Sequence, residues 1–539
     1  MVGKRLPGHA HIETEQKEEN MADKKYVIAI DSGTQSVRAI MFDRAGKEVA
    51  SAQASHEPYF SLRPGWAEQD SADYWSKLCR VTKTMMMQAC VDPKDIAVMG
   101  ITTQRTTFVP VDREGNALRP AIIWLDQRKV DDAPPLSMAA RAIFGVAGLS
   151  EAIKYVRKNS KFLWIQRNEP EVYRKTYKFM QISGWLVRKL TGEFKDSVGM
   201  VTGLWPLDFK KLAWHSLGIA YEAFGLEPEH MVDLYAPDTV LGHITAQASQ
   251  ETGLPEALPV VVGAGDKQSE LLGAGGIDPG IGVISYGTAT CMDVITRKYV
   301  SDRRMRFFSW PGAVPRTWNI EMFVFRGFWM VTWFKQEFGY RESLLAEKRG
   351  VAPEVIFDEL VSAIPAGSMG LMLHPHWSPM PSSKYGKGSI IGFGDVHTRA
   401  HIYRAILEGI GYELRRSYEI VNQKTGITLT EIRVGGGGSR SDVAVQTAAD
   451  IFNLSVSRMS TSEICALGAA IDAAVGCGMF ASFEEAVSLM VKKGRTFEPI
   501  AANHRVYDDL YREVYKKTYP KLEPLYGRIA AITGYPSGD

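Results

Sequence analysis

From Lys25 the chain reads Tyr26-Val27-Ile28-Ala29-Ile30, then Asp31-Ser32-Gly33-Thr34-Gln35-Ser36, then Val37-Arg38-Ala39-Ile40-Met41-Phe42. Two short apolar runs rich in β-branched residues, parted by a Gly/Ser/Thr cluster, predict a hairpin whose turn carries the polar groups. Gly33 lets backbone N–H groups come close to an oxyanion. Ser32, Thr34 and Ser36 add hydroxyl donors beside Gln35, and Asp31 at the strand end can hold a hydrated Mg²⁺. The stretch is a candidate phosphate clamp, with an ordinary glycine-turn hairpin as the competing reading.

Composition sets the scale around it. With 539 residues, 45% of them hydrophobic and 23% charged, the chain can bury a full core and is expected to divide into two domains. Basic and acidic residues, 63 against 61, leave a net charge of +2, which points to a small-molecule ligand and away from nucleic acid or an anionic membrane. Cys79, Cys90, Cys291, Cys465 and Cys477 are odd in number and contain no Cys-x-x-Cys pair. Free thiols in a reducing compartment are expected, not disulfides or a zinc site.

Residues 1–24 are polar and charged, without the apolar segment of a signal peptide, and are expected to be a disordered extension, with Met21 a candidate natural start. The most apolar later stretch, Ala466 to Phe480, is interrupted by Asp472 and rich in Ala and Gly, so no membrane span is expected and the location is read as cytoplasmic.

Beyond the hairpin, Asp73 to Ala89 reads as a helix and Ala97 to Thr102 as a buried strand. Thr103-Gln104-Arg105-Thr106-Thr107 ends that strand, and Ala121-Ile122-Ile123-Trp124-Leu125-Asp126-Gln127-Arg128 follows. Ligands of open α/β sheets bind at the C-terminal ends of strands. Gln104, Arg105, Trp124 and Asp126 therefore form a candidate pocket for a hydroxyl-rich ligand. In the alternative reading Arg105 and Arg128 pair with carboxylates and Trp124 belongs to the core.

Residues 130–235 read as helical and aromatic, and then the punctuation changes. Pro259-Val260-Val261-Val262-Gly263-Ala264-Gly265-Asp266-Lys267-Gln268 is a buried strand ending in a Gly-flanked acid, followed by a helix. Asp266 is a candidate general base, and it and Lys267 beside it join the candidate acceptor contacts; a helix cap is the plainer alternative for Asp266. Gly282 to Val294 then repeats the opening pattern, with Gly287-Thr288 in the turn, so the second domain is expected to repeat the first and two phosphate-facing turns to oppose each other. Gly435-Gly436-Gly437-Gly438-Ser439 lies between a strand and a helix, which suits close backbone approach to a nucleotide, although flexible loops look the same. The small-residue helix from Ala466 to Ala470 offers tight packing or a ligand face. His374-x-His376 is read as structural or substrate-lining in preference to a metal pair, and Tyr507, Tyr511 and Tyr515 as the docking face of a C-terminal helix.

Taken in order, these motifs resemble the FGGY carbohydrate kinase family over residues 25 to about 500. Asp31 to Ser36 is similar to the family's first phosphate motif, Gly287-Thr288 to its second, Gly435 to Ser439 to its adenosine motif, and Asp266 to its catalytic Asp. One signature matches from Gly388 to Glu408 except at Phe393. The other is partial, with Lys161, Trp164 and Asn168 fitting and Lys158 departing. The resemblance implies two actin-like, ribonuclease-H-like α/β domains with a ligand cleft between them: residues 25–269 binding the sugar, residues 270–539 binding the nucleotide and ending in a helical tail. It further implies ATP and Mg²⁺ as cofactors, Asp31 and Asp266 as metal-facing carboxylates, and a small sugar, ketose or polyol as acceptor. A homodimer is the assembly considered.

Arg105-Thr106 stands where glycerol kinases carry Arg-Glu, and Gln104-Arg105-Thr106 where xylulose kinases carry Gln-Met-His, so neither glycerol nor a ketopentose is the first choice. Phe307 to Gly370 loosely resembles autoinducer-2 kinases, which makes a dihydroxy-diketone an alternative acceptor. Retention of Asp266 beside an intact phosphate motif argues against a non-catalytic ATP-binding regulator on the same fold.

Overall fold

The computed structural model describes residues 24–379, 382, 383 and 385–535, so the expectation of disorder over residues 1–24 lies outside the described residues except at Lys24. Two compact units form. The first runs to Gly275 and also takes Trp310–Thr317 and Cys465–Val491; the second comprises Gly276–Ser309, Trp318–Ile464 and the chain from Lys492. A division between residues 269 and 270 would cut the continuous helix Asp266–Gly273. The return of residues 465–491 follows from small residues. The backbone of Ala469 in the helix Ile464–Gly476 lies where a Cβ on Gly100 would stand, and Ser269 lies equally close to Gly468. The lack of bulk from Ala466 to Ala470 is thus used for tight packing.

The first unit is built on a six-stranded sheet of β1 (Tyr26–Ser32), β2 (Ser36–Asp43), β3 (Glu48–Ser55), β4 (Ile96–Thr103), β5 (Val240–His243) and β6 (Pro259–Val262), in the order β5-β6-β4-β1-β2-β3. β1 and β2 form the expected hairpin, from Tyr26 opposite Asp43 to Ser32 opposite Val37. β4 runs parallel to β1, and β6 parallel to β4. Both faces of these central strands are covered, which is why they read as apolar runs and not as alternation. The helix Ser71–Ala89, capped by Asp70 accepting from the Ala72 N–H at 2.9 Å, buries Tyr74, Leu78, Val81 and Met85. A separate aromatic cluster of Phe108, Phe162, Trp164, Phe179 and Trp205 anchors the helix Lys161–Asn168.

The second unit repeats the plan with β7 (Ile281–Tyr286), β8 (Thr290–Thr296), β9 (Phe308–Pro311), β10 (Trp318–Val324), β11 (Glu431–Gly435), β12 (Val456–Met459) and β13 (Lys493–Phe497), ordered β9-β10-β8-β7-β11-β12-β13. β7, β8 and β10 form an antiparallel meander, and β11 and β12 add in parallel beside β7. β1, β2, β3, β4 and β6 have the same arrangement in the first unit, so the repeated turn motif reflects a repeated topology. This is the two-domain actin-like, ribonuclease-H-like fold.

In the C-terminal tail Tyr507, Tyr511 and Tyr515 are buried with Met372, Tyr412 and Ile451, so they form a docking face within the second unit. The Tyr507 hydroxyl donates to Glu408 at 2.9 Å and accepts from Arg404 at 2.9 Å.

Candidate active site

In the first unit the turn between β1 and β2 is closed by the Gly33 N–H donating to the Ser36 carbonyl at 3.0 Å. Four side chains then lock it. Thr34 Oγ1 donates to Gln104 Oε1 at 2.6 Å, Gln104 Nε2 to the Tyr74 hydroxyl at 2.6 Å, Tyr74 to Gln69 Oε1, and Gln69 Nε2 back to the Thr34 carbonyl at 3.0 Å. Burial pushes the Tyr74 phenol upward, so it stays a donor. A closed ring in which every donor has an acceptor holds its members in one geometry. Trp124 Nε1 also donates to Thr34 Oγ1, at 2.9 Å, while its side chain is half-exposed at 54% and is not core. Ser32 Oγ is buried and has no partner among the described residues, and a phosphate oxygen would satisfy it.

Asp266 opens the helix Asp266–Gly273, but Gly265 is the N-cap residue and no side chain caps this end. The cap alternative therefore does not account for Asp266. Its Oδ1 lies 2.9 Å from Arg105 Nε, in an ion pair whose carboxylate remains 35% exposed. A Cβ on Gly265 would stand 2.4 Å from Arg105 Cγ, so the glycine is what lets the Arg105 stem pass. Lys267 pairs with Glu270 at 2.9 Å. Burial first, and then the charges of Asp31, Glu270 and Asp266, push the Cys465 thiol well up.

A cavity of about 190 Å³ beside this loop is lined by Thr106, Trp124, Lys161, Phe162 and Trp205, among others. Thr106 has φ +58°, a left-handed conformation that is strained for a β-branched residue and typical of functional sites. Desolvation lowers the Lys161 pKa, against the opposing pull of Asp126.

Three expected acceptor contacts are corrected here, the first being Lys267, which Glu270 takes as above. The Asp126 side chain has no exposed surface. Its oxygens take Arg128 Nε at 2.9 Å, the Arg128 N–H at 3.0 Å and the Ala67 N–H at 2.8 Å. Gln104 is likewise committed through both its amide atoms to the ring above. The arginine-pairing alternative thus describes Arg105 and Arg128, and the core alternative fails for Trp124. Gln69, Tyr74 and Glu270 are not among the residues the sequence singles out. Glu270 alone carried a signal, four residues after Asp266 on one helix face.

In the second unit, Gly287 and Thr288 form the turn between β7 and β8, and their carbonyls accept from Phe328 N–H at 3.2 Å and Trp329 N–H at 3.1 Å. Thr288 is exposed, and Thr290 Oγ1, like Ser32 Oγ, is buried without a partner among the described residues. At the end of β11 the glycines divide by role. Gly436 has φ +78°, and a Cβ there would stand 2.9 Å from the Tyr286 carbonyl oxygen, so this glycine serves the packing of β7 against β11. Gly437 is exposed, with open space around its Cβ position. Ser439 Oγ turns inward to the Gly436 carbonyl at 2.7 Å, and Gly435 is buried.

His374 is fully buried, stacked on Tyr515 with ring centroids 4.3 Å apart, and burial lowers its pKa to about 4. His376 packs on Tyr519 and lies 3.7 Å from Glu413. Among the described residues no group of three or more His, Cys, Asp or Glu side chains is arranged to hold a metal, and no helix is long and apolar enough to cross a membrane.

Residues 26–273 match the N-terminal domain of the FGGY family of carbohydrate kinases, and residues 282–477 its C-terminal domain. The chain is 32% identical to the uncharacterized sugar kinase YgcE of Escherichia coli (strain K12), covering 92% of this chain and 93% of that protein. It is 28% identical to a xylulose kinase of Bacillus subtilis (strain 168), covering 92% and 97%. The crystal structure of xylulose kinase from Rhodospirillum rubrum superposes with a TM-score of 0.79 at 26% identity, covering 93% of this chain and all of that one.

Proposed function

The chain belongs to the FGGY family of carbohydrate kinases, and on that premise we propose that Asp266 is the general base that deprotonates a hydroxyl of a small polyol, ketose or sugar for attack on ATP. The enzyme is a phosphotransferase with an alcohol acceptor, and ATP is the family's phosphate donor. The observation that carries the assignment of the base is the ion pair between Arg105 and a part-exposed Asp266 carboxylate, on the loop that leads into the cavity at Thr106 and Trp124.

In this reading the acceptor sits against the Trp124 ring and beside Lys161. Arg105 holds the Asp266 carboxylate in orientation, and the carboxylate takes the hydroxyl proton. The acceptor oxygen then forms its bond to the γ-phosphorus as the bond to the bridging oxygen breaks, and ADP leaves. The Thr34 turn amide, the orphaned Ser32 hydroxyl, and the Gly287-Thr288 turn are the groups suited to phosphate oxygens. Gly437 is suited to close approach by adenosine.

Asp31 at the end of β1 and Asp266 after β6 both keep part-exposed side chains and would hold a hydrated Mg²⁺ carried in with the nucleotide, because hard cations that keep their waters need one or two carboxylates and no all-protein cage. That ion would supply charge neutralisation of the phosphates. The cavity volume favours a compact acceptor, since pockets for drug-sized ligands span roughly 300–1,000 Å³.

ADP release, measured with ATP alone and with three- to seven-carbon polyols, ketoses and a dihydroxy-diketone, tests the proposal. One acceptor is expected to accelerate turnover by at least about tenfold over its neighbours, because a lost buried hydrogen bond costs about 1–3 kcal/mol. A rate independent of every acceptor would mark a hydrolase and overturn the reading.

A further inference from the structure

A second cavity in the first unit, about 820 Å³, is lined by Arg63, Pro64, Gly65 and Trp66, by Gln127 to Asp132, and by Trp164, Arg167 and Asn168. The segments are tied together locally, with the Gln127 N–H donating to the Gly65 carbonyl at 2.7 Å. Four cationic side chains line it against the two carboxylates of Asp131 and Asp132. Arg63 and Arg167 are exposed, and neither they nor Lys129 forms an ion pair with a carboxylate among the described residues. Arg128 is the fourth. Its side chain has no exposed surface and is held between Trp66 and Trp164, with its guanidinium carbon 4.2 Å and 4.5 Å from their rings. Nε and Nη2 serve Asp126 and Glu68, but Nη1 is buried without an acceptor among the described residues.

A buried guanidinium donor without an acceptor, beside three cations that form no ion pair and outnumber the two lining carboxylates, asks for an oxyanion, and planar guanidinium groups match phosphate oxygens in pairs. The room exceeds what a bare ion needs and suits a metabolite with a body of several carbons. We propose that this cavity binds a small phosphate-bearing metabolite. It is a different cavity from the one at Trp124, but the two share a wall. Asp126 lines the smaller cavity, Arg128 lines the larger, and the two residues are paired at 2.9 Å.

The test is calorimetric titration of the whole chain, without ATP or acceptor, using inorganic phosphate, glycerol 3-phosphate, gluconate and glycerol as probes. Saturable binding of inorganic phosphate or glycerol 3-phosphate, with none of glycerol, is expected. The paired change Arg63→Glu and Arg167→Glu should weaken it by at least about tenfold, as for loss of charge-assisted contacts, while the unfolding midpoint and basal kcat stay unchanged. The pair Arg63→Gln and Arg167→Gln provides a milder variant and should weaken binding less. Equal affinity in the wild type and both variants would place the phosphate elsewhere and overturn the proposal. So would an absence of saturable binding, or a preference for gluconate.

Discussion

Arg105 Nε and Asp266 Oδ1 lie 2.9 Å apart, joining the loop after β4 to the first residue of the helix that follows β6. β4 and β6 are neighbouring parallel strands, so the pair links two strand ends at the edge where open α/β sheets place their chemistry. On the proposed mechanism, one residue carries the charge that orients and the other the oxygen that takes a proton. Their substitutions should therefore fail differently.

Asp266→Asn is expected to lower kcat by 10²–10⁴-fold or more, the usual cost of losing a general base, with the ATP dissociation constant within about twofold of wild type. Single-turnover kinetics with nucleotide binding by calorimetry separates the two effects. A variant that kept most of its kcat would remove Asp266 from the role.

Arg105→Ala should raise the acceptor KM and lower kcat while leaving ATP affinity alone. Gly265→Ala should mimic it, because the added methyl occupies the space of the Arg105 stem. Trp124→Ala should raise acceptor KM with a smaller loss of kcat. Steady-state kinetics over both substrates checks all three, and an unchanged acceptor KM in Arg105→Ala and Trp124→Ala would discard the pocket.

At the glycine turn two substitutions are expected to part company. Gly437→Val enters open space and should raise the ATP KM by about tenfold, the cost of losing a close backbone contact, without moving the unfolding midpoint. Gly436→Val meets the Tyr286 backbone at positive φ and should destabilise the fold by about 1–3 kcal/mol. Thermal unfolding beside ATP kinetics reads both.

Asp126→Asn breaks a buried ion pair and leaves Arg128 short of a charge, which should cost about 3–5 kcal/mol in denaturant unfolding. A variant of wild-type stability with a raised acceptor KM would instead return Asp126 to the list of acceptor contacts.

Acid should weaken the second unit through His374. Its pKa is lowered to about 4 by burial, against 6.5 unperturbed, so the unfolded chain binds the proton more tightly. The stability this neutral ring permits is full above pH 6.5 and is lost as pH falls from there to about 4. His374→Phe keeps a ring on Tyr515 and should gain stability relative to wild type between pH 7.5 and 4.5 in urea unfolding series. A constant difference across that range would rule out the linkage.

The sequence by itself determined the hairpin at Asp31 to Ser36, its repeat at Gly287-Thr288 and the strand-end position of Asp266. Each is local: β-branched runs buried on both faces, a glycine where the chain must turn, and an acid directly after a strand. What only the tertiary structure decided is which polar groups remain free to act. Gln104 is consumed by Thr34 and Tyr74, Asp126 by Arg128 and the Ala67 N–H, and Lys267 by Glu270. Trp124 and the Asp266 carboxylate stay part-exposed. Arg128 and Glu270 are close enough in sequence to be suspected, whereas the partners of Gln104 and the Ala67 N–H on Asp126 lie 30 to 70 residues away, so spacing holds no trace of those pairings. The same holds for the return of residues 465–491 to the first unit, which rests on the absence of a Cβ at Gly100 and Gly468 and on the helix backbone that this space admits.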